Sequence, residues 1–296
     1  MVSLARRVFG LRGERRLLLA AALTAATLPV SGGSGCRPRS VGPDRAAEPS
    51  RAPLTPCEAC RAAVQRATSW LLATESNDPY RWIYLAALDR RFGLDGAEAA
   101  LERYRAAAAA SRFPDVGLFM RFGDPAAVPD KSLLDQVPWD RNRGVLVSLH
   151  CARFGFPPEY AEHARRHAAE GGYPLTHVLY DMILARDMGC THPLPQAEQD
   201  AVVEAVARLR TGDVVIGDLE MEALWFLALW GRRDLVPSGT VERVLEAQWR
   251  SGGWAFDGNS RVPDAHATYI AMSLLLELAE KPRTPLVAPS NPEATP

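Results

Sequence analysis

Three polar residues in this chain stand where they could do chemistry together: His177, Glu222 and His266. Each is followed three positions later by an aromatic residue, Tyr180, Trp225 or Tyr269, and each opens an apolar segment. The first two lie 45 residues apart and the last two 44, so they hold matched places in a repeating chain. Two imidazoles and a carboxylate can hold Zn²⁺ and leave one position for water. The same groups can serve as general acid and base, since an unperturbed histidine titrates at about pH 6.5. The structural alternative is that each one caps the start of its own helix. Asp181 falls one turn after His177, on the same helical face, where a carboxylate would orient and charge the ring. His177, Asp181, Glu222 and His266 are therefore the catalytic candidates, and His177, Glu222 and His266 the metal candidates, with zinc as the implied ion.

Other residues suggest ligand contacts. Tyr180, Trp225 and Tyr269 would line a cavity suited to sugars or apolar ligands, unless their helical spacing simply marks a core. Arg81 and Arg143 open earlier, looser repeats, and with Arg121 they could hold a carboxylate or uronate; helix packing is the alternative use. Cys190-Thr191-His192 sits between Gly189 and Pro193, which marks a turn, where an exposed or disulfide-bonded cysteine is expected.

The elements that must position these residues read as helix after helix. No run of strict apolar alternation bounded by turn residues is present, as a strand would need. Gly, Pro and Asn/Asp breaks divide the chain into helices near 57–74, 79–92, 95–111, 141–154, 157–169, 174–188, 195–210, 218–230, 238–250 and 265–280. The stretch from Phe113 to Asp140 is irregular but holds Phe119, Met120, Phe122 and Trp139, which fits a functional or lid-like loop. Helices with one apolar stripe, such as Gly96 to Ser111, alternate with helices apolar all round, such as Val178 to Ala185. The first kind can sit outside; the second must be buried. A period of about 45 residues, one outer and one inner helix, marks a repeat architecture. The fold expected is all-α, with about five helical hairpins closing into an α/α-toroid around a cavity.

Gln248-Trp249-Arg250-Ser251-Gly252-Gly253-Trp254 reads Q-x-x-x-G-x-W. It resembles the repeat motif of the squalene/hopene cyclase and protein prenyltransferase superfamily, whose fold is an α/α-toroid. The resemblance implies that the Gln caps a helix end and the Trp packs on the next turn, tying outer helices together. Asp264 to Tyr269 also resembles the inner helix that carries the zinc-binding histidine of prenyltransferase β subunits. Of that metal set only His266 carries over; the nearest analogue of the rest, Asp218-Leu219-Glu220, lacks the cysteine. The Asp-rich protonation motif of the cyclases is absent.

The first residues read as an export signal. Arg6, Arg7, Arg15 and Arg16 precede the uncharged run Leu17 to Val30, and small residues lead to Cys36. A lipidated Cys36 closing residues 1–36 is the leading expectation, with plain cleavage or a retained helix as alternatives. Arg6-Arg7-Val8-Phe9 also resembles a twin-arginine signal. Residues 37–56 are a Pro-rich tether, 57–281 the helical domain, and 282–296 a second disordered segment. An exported domain keeps disulfides, and Cys57-Glu58-Ala59-Cys60 suggests a local pair at the first helix.

Net charge is −1, with 34 basic and 35 acidic residues, which gives no footprint for nucleic acid. The function expected is an envelope protein, anchored to the membrane through its N-terminal lipid, that binds a ligand or partner protein. The alternative is an exported toroid enzyme, lyase-like or metal-assisted, acting on a glycan or lipid through His177, Glu222 and His266.

Overall fold

The structure, a computed structural model, describes residues 56–74, 78–111, 113–139, 142–209 and 215–287. The expected export signal, Cys36, the tether up to residue 55 and residues 288–296 lie outside them, as does the side chain of Cys57. Among the described residues the chain forms thirteen α-helices and no strand. One isolated antiparallel bridge joins Trp254 to Asp264. None of these helices is long and apolar enough to cross a membrane.

Two kinds of helix appear, as the apolar patterning requires. The first helix, α1 (Pro56–Ala73), buries Cys60, Ala63, Val64, Ala67, Thr68 and Leu71, a single stripe at three- and four-residue spacing. After α2 (Tyr80–Phe92), the next such helix is α3 (Ala100–Ala110), which buries only Ala100 and Tyr104. The short α4 (Pro114–Leu118) and α5 (Lys131–Gln136) follow, then α6 (Arg143–Leu149) and α7 (Cys151–Phe154). Two more one-stripe helices, α8 (Tyr160–Glu170) and α10 (Gln196–Ala207), flank α9 (Gly172–Asp187). In α9 every residue from Leu175 to Ala185 is buried except His177. Nearly all of α11 (Asp218–Trp230) is likewise buried, and after α12 (Thr240–Glu246) so is α13 (Ala265–Ala279) from Ala267 to Glu277. The fully apolar helices pack on one another: α9 touches α6 and α11, and α11 touches α13. The last helix also packs against α1 and α2, so the end of the chain lies on its beginning.

The Q-x-x-x-G-x-W segment makes that junction. Gln248 Nε2 donates to the Ala63 carbonyl of α1 at 2.8 Å and to the Gly252 carbonyl at 2.7 Å. Its Oε1 accepts from Arg66 Nε and Nη2 at 3.2 and 2.5 Å. Gly252 has φ of 108°, and a Cβ there would stand 2.5 Å from the Arg66 carbonyl oxygen. Trp254 is buried, with its indole N–H donating to the Val244 carbonyl at 2.7 Å. The motif ties outer segments together, as its resemblance implied, and the segments tied are the last and the first.

Aromatic rings fill the space between the buried helices. Tyr84 and Tyr269 stack at 4.3 Å, Tyr180 and Phe226 at 4.5 Å, and Phe122 stacks on Tyr180 at 6.2 Å. Tyr180, Trp225 and Tyr269 are 3%, 3% and 4% exposed. They belong to the core, the alternative their helical spacing left open, and not to a cavity wall: Tyr180 meets Trp225, and Tyr269 meets Tyr84. The stretch from Phe113 to Trp139 is packed, as its large apolar residues implied. Phe119 and Phe122 are core residues on a 3-10 turn, and Trp139 packs on Tyr160 and His163.

One boundary differs from expectation. Ordered packing runs past Lys281 to Val287, where Leu286 and Val287 are 3% and 0% exposed. Arg283 N donates to the Arg91 carbonyl at 2.8 Å, and Arg90 Nη2 to the Leu286 carbonyl at 2.5 Å. Composition alone made this segment a tail; Arg90 and Arg91 of α2, distant in sequence, hold it. Among the described residues a disulfide joins Cys151 to Cys190, across 39 residues, and links α7 to the turn after α9. The expected Cys57–Cys60 pair falls on the Cys57 side chain, which lies outside them.

Gln248→Ala strands the Ala63 carbonyl and the Arg66 guanidinium and should lower unfolding free energy by about 2 kcal/mol. Gly252→Ala should cost more, because it adds a backbone clash to a left-handed φ. Urea unfolding of both variants measures the order; a Gly252→Ala protein as stable as the parent would refute the junction. Reducing the Cys151–Cys190 bond should cost up to about 4 kcal/mol, read as a drop in melting temperature with and without reductant.

Candidate active site

Three buried helices begin at one place. Gly171 and Gly172, with φ of 72° and 58°, turn the chain into α9, whose first residues carry Tyr173 and Thr176. Asp218 is the first residue of α11, its backbone N–H held by the Phe256 carbonyl at 2.9 Å. Asp264 caps α13, accepting from the His266 and Ala267 N–H groups at 2.7 and 3.1 Å, and so fixes His266 in the first turn. Glu222 stands four residues after Asp218, on the same face of α11.

These helix starts bring a closed set of contacts together. His266 Nδ1 lies 2.9 and 3.0 Å from the two Asp218 oxygens. A carboxylate only accepts, so Nδ1 carries the proton. The other ring nitrogen, Nε2, faces Glu222 Oε2 at 3.7 Å. Tyr173 OH donates to Asp218 Oδ2 at 2.6 Å, and Thr176 OH donates to Glu222 Oε1. The Asp218 and Glu222 side chains are 0% and 2% exposed, whereas His266 is 36% exposed. The imidazole is therefore the part of the cluster that an arriving molecule meets. One ligating atom from each of Asp218, Glu222 and His266 lies within 4.8 Å of the others, which would also suit a divalent metal ion.

Burial and charge set the protonation of the cluster. Burial pulls the His266 imidazolium down, but Asp218, by charge and hydrogen bond, and then Glu222 and Asp264 outweigh it and raise it to about 9. Burial pushes the Glu222 carboxyl up to about 7, with Asp218 adding to that and His266 and Thr176 opposing it. Carboxylates at helix starts are favoured by the aligned peptide dipoles, which supports Asp218 in a dry position. Asp78, whose charged neighbours include His266 and Asp264, is raised by its burial.

The expected residues divide. Glu222 and His266 meet; His177 does not join them in the close group, although the His266 charge is felt there. Burial first, then the His266 and His167 charges, lower the His177 ring to about 4, which keeps it neutral. Asp181 turns away from His177 and accepts from Tyr160 OH at 3.1 Å, and burial raises its carboxyl well above the usual range. Its expected role beside His177 is corrected. The arginines are corrected too. Arg81 is 4% exposed, donates to the Thr74 carbonyl at 2.6 Å and lies over Trp82. Arg143 lies over Trp139 and donates to the Asp135 and Val137 carbonyls at 3.2 Å each. Arg121 is 5% exposed, within the core. None of the three reaches out as a carboxylate clamp. Tyr173 is a site residue the sequence reading passed over, and Asp218 was noted there only as part of the incomplete analogue of a metal-ligand pair and not as a candidate. They are 45 residues apart, which is the repeat period itself, so that spacing was the available signal.

No family model matches the chain, and no curated protein or solved structure matches it. Likeness to the cyclase and prenyltransferase superfamily rests on the residues from Gln248 to Trp254 and from Asp264 to Tyr269.

The cluster should make stability depend on pH. The folded His266 titrates above its ordinary 6.5, so its contribution is whole below that value and is lost as pH rises through about 9. Glu222 is raised from 4.5, so its contribution is present below that value and is lost as pH rises through about 7. Melting temperature should therefore fall as pH rises across this window. Glu222→Gln should flatten the lower part of the fall and Asp218→Asn the upper part. A melting temperature constant across the window would contradict the buried, coupled protonation.

Proposed function

We propose that this chain is an exported protein, lipid-anchored at Cys36, whose helical domain closes as an α/α-toroid and catalyses proton transfer at Asp218, His266 and Glu222. The observation that carries the catalytic reading is one imidazole held between two buried carboxylates, with its own edge open. Asp218, braced by Tyr173, fixes the ring with its proton on Nδ1 and keeps it charged. Glu222 Oε2 stands 3.7 Å from Nε2, beyond a direct hydrogen bond, so a proton passes between them only after a small approach of the two side chains. A buried, charge-coupled pair in which the carboxyl is raised to about 7 and the imidazole to about 9 is the kind of group that general acid–base catalysis uses.

Closure is supported by α13, which packs on α11 before it and on α1 and α2 at the other end of the chain. Export is supported by the Cys151–Cys190 bond, since such bonds persist in oxidising compartments. The stacked aromatic interior argues against a ligand held between the helices and supports binding at the end where the three helices start. With the arginines committed to packing, the reading favours a neutral glycan or a lipid over a uronate, in a lyase-like or hydrolytic reaction.

The test is a set of Asp218→Asn, Glu222→Gln and His266→Ala variants, screened on neutral glycans and lipid esters beside a metal analysis of the purified protein. Activity lost about a hundredfold or more in His266→Ala and Glu222→Gln, in folded protein without metal, is the expected result. Stoichiometric zinc that disappears in Asp218→Asn and His266→Ala would replace proton transfer by metal-assisted chemistry. For the anchor, Cys36→Ala should move the protein from membrane to soluble fractions and abolish labelling by palmitate.

A further inference from the structure

A second polar site lies at the other end of α13. Glu280 is 14 residues beyond His266, a helical rise of about 21 Å, so the two sites do not share atoms. Here α1, the end of α2 and the end of α13 line a half-open cavity of about 270 Å³, with Phe92, Leu94 and Leu276 as its apolar wall. Arg61, Asp95 and Glu280 supply its charges.

Glu280 is held in an unusual state. Its side chain is 7% exposed, and Oε2 pairs with Arg61 Nη2 at 2.5 Å. Its second oxygen, Oε1, is buried and has no hydrogen-bond partner. A buried carboxylate oxygen without a donor costs free energy, and such atoms in folded proteins call for an explanation. Arg61 is 58% exposed, so the cover over the carboxylate is a surface side chain rather than the core.

We propose that this cavity binds a free α-amino acid with an apolar side chain. The ammonium group takes the place of Arg61 at Glu280 and supplies the donor that Oε1 lacks. The displaced guanidinium turns to the ligand carboxylate, a partner it can engage with two parallel hydrogen bonds. One ion pair is thereby exchanged for two, and the net charge of the cavity is unchanged. The apolar side chain lies against Phe92, Leu94 and Leu276. The volume suits so small a ligand, being below the range of about 300–1,000 Å³ typical of drug-sized pockets. Asp95 at the edge disfavours a simple anion in the same place.

Isothermal titration of the full chain with L-leucine tests this, beside N-acetyl-leucine, which lacks the ammonium, and 3-methylbutylamine, which lacks the carboxylate. Saturable leucine binding is expected, with each one-ended analogue weaker by about tenfold or more. Glu280→Gln should weaken leucine by at least a similar factor while melting normally, and His266→Ala should leave it unchanged. The proposal is overturned if leucine gives no binding at millimolar concentration, or if the amine binds as tightly as leucine. Binding that survives Glu280→Gln intact would overturn it as well, by placing the ligand elsewhere.

Discussion

The side-chain amide of Gln248 satisfies a carbonyl of the first helix and one of its own turn, and the packing of the domain depends on that double engagement. A helix such as α13, buried on almost every face, needs neighbours all round it. It finds α11 on the side of its own sequence neighbours, but the other side must come from α1 and α2, nearly two hundred residues earlier. Hydrophobic contact alone is non-directional and tolerates sliding. The Gln248 amide and the close backbone approach at Gly252 are directional, so they set the register in which the apolar surfaces meet.

That register determines where the polar residues end up. Three buried helices start at one end because the linking segments return the chain there each time. The charged groups concentrate at those starts, where backbone N–H groups and peptide dipoles accommodate carboxylates. The interior between the helices is left to aromatic stacking. The same element thus provides both halves: residue 266 of α13 belongs to the polar end and residue 269, three positions on, to the aromatic column.

Much of this was readable from sequence where one helix decides the matter. The spans 218–230 and 265–280 agree with the observed α11 and α13 to within a residue, because an uninterrupted apolar run between strong breakers leaves little choice. The pairing of Glu222 with His266 followed from the repeat period. What failed depended on rotation about a helix axis or on distant partners. A 45-residue spacing equates positions but does not say which side chain turns to the polar end, so Asp218 was left out of the candidates and His177 was overvalued. Arg81 and Arg143 looked available because their acceptors are carbonyl oxygens, which no residue type announces. The Cys151–Cys190 bond and the segment to Val287 are long-range pairings of the same kind, invisible to local composition.

The residues from 282 to 287 carry a consequence for the order of folding. Arg90 and Arg91 on α2 bind carbonyls of this segment across more than 190 residues, and α1 waits as long for Gln248. During synthesis the first hairpin therefore emerges with its apolar face uncovered and gains its partners only when the chain is nearly complete. Contacts of such range are slow to form. Completing the burial of the first hairpin therefore waits on residues 248 to 287.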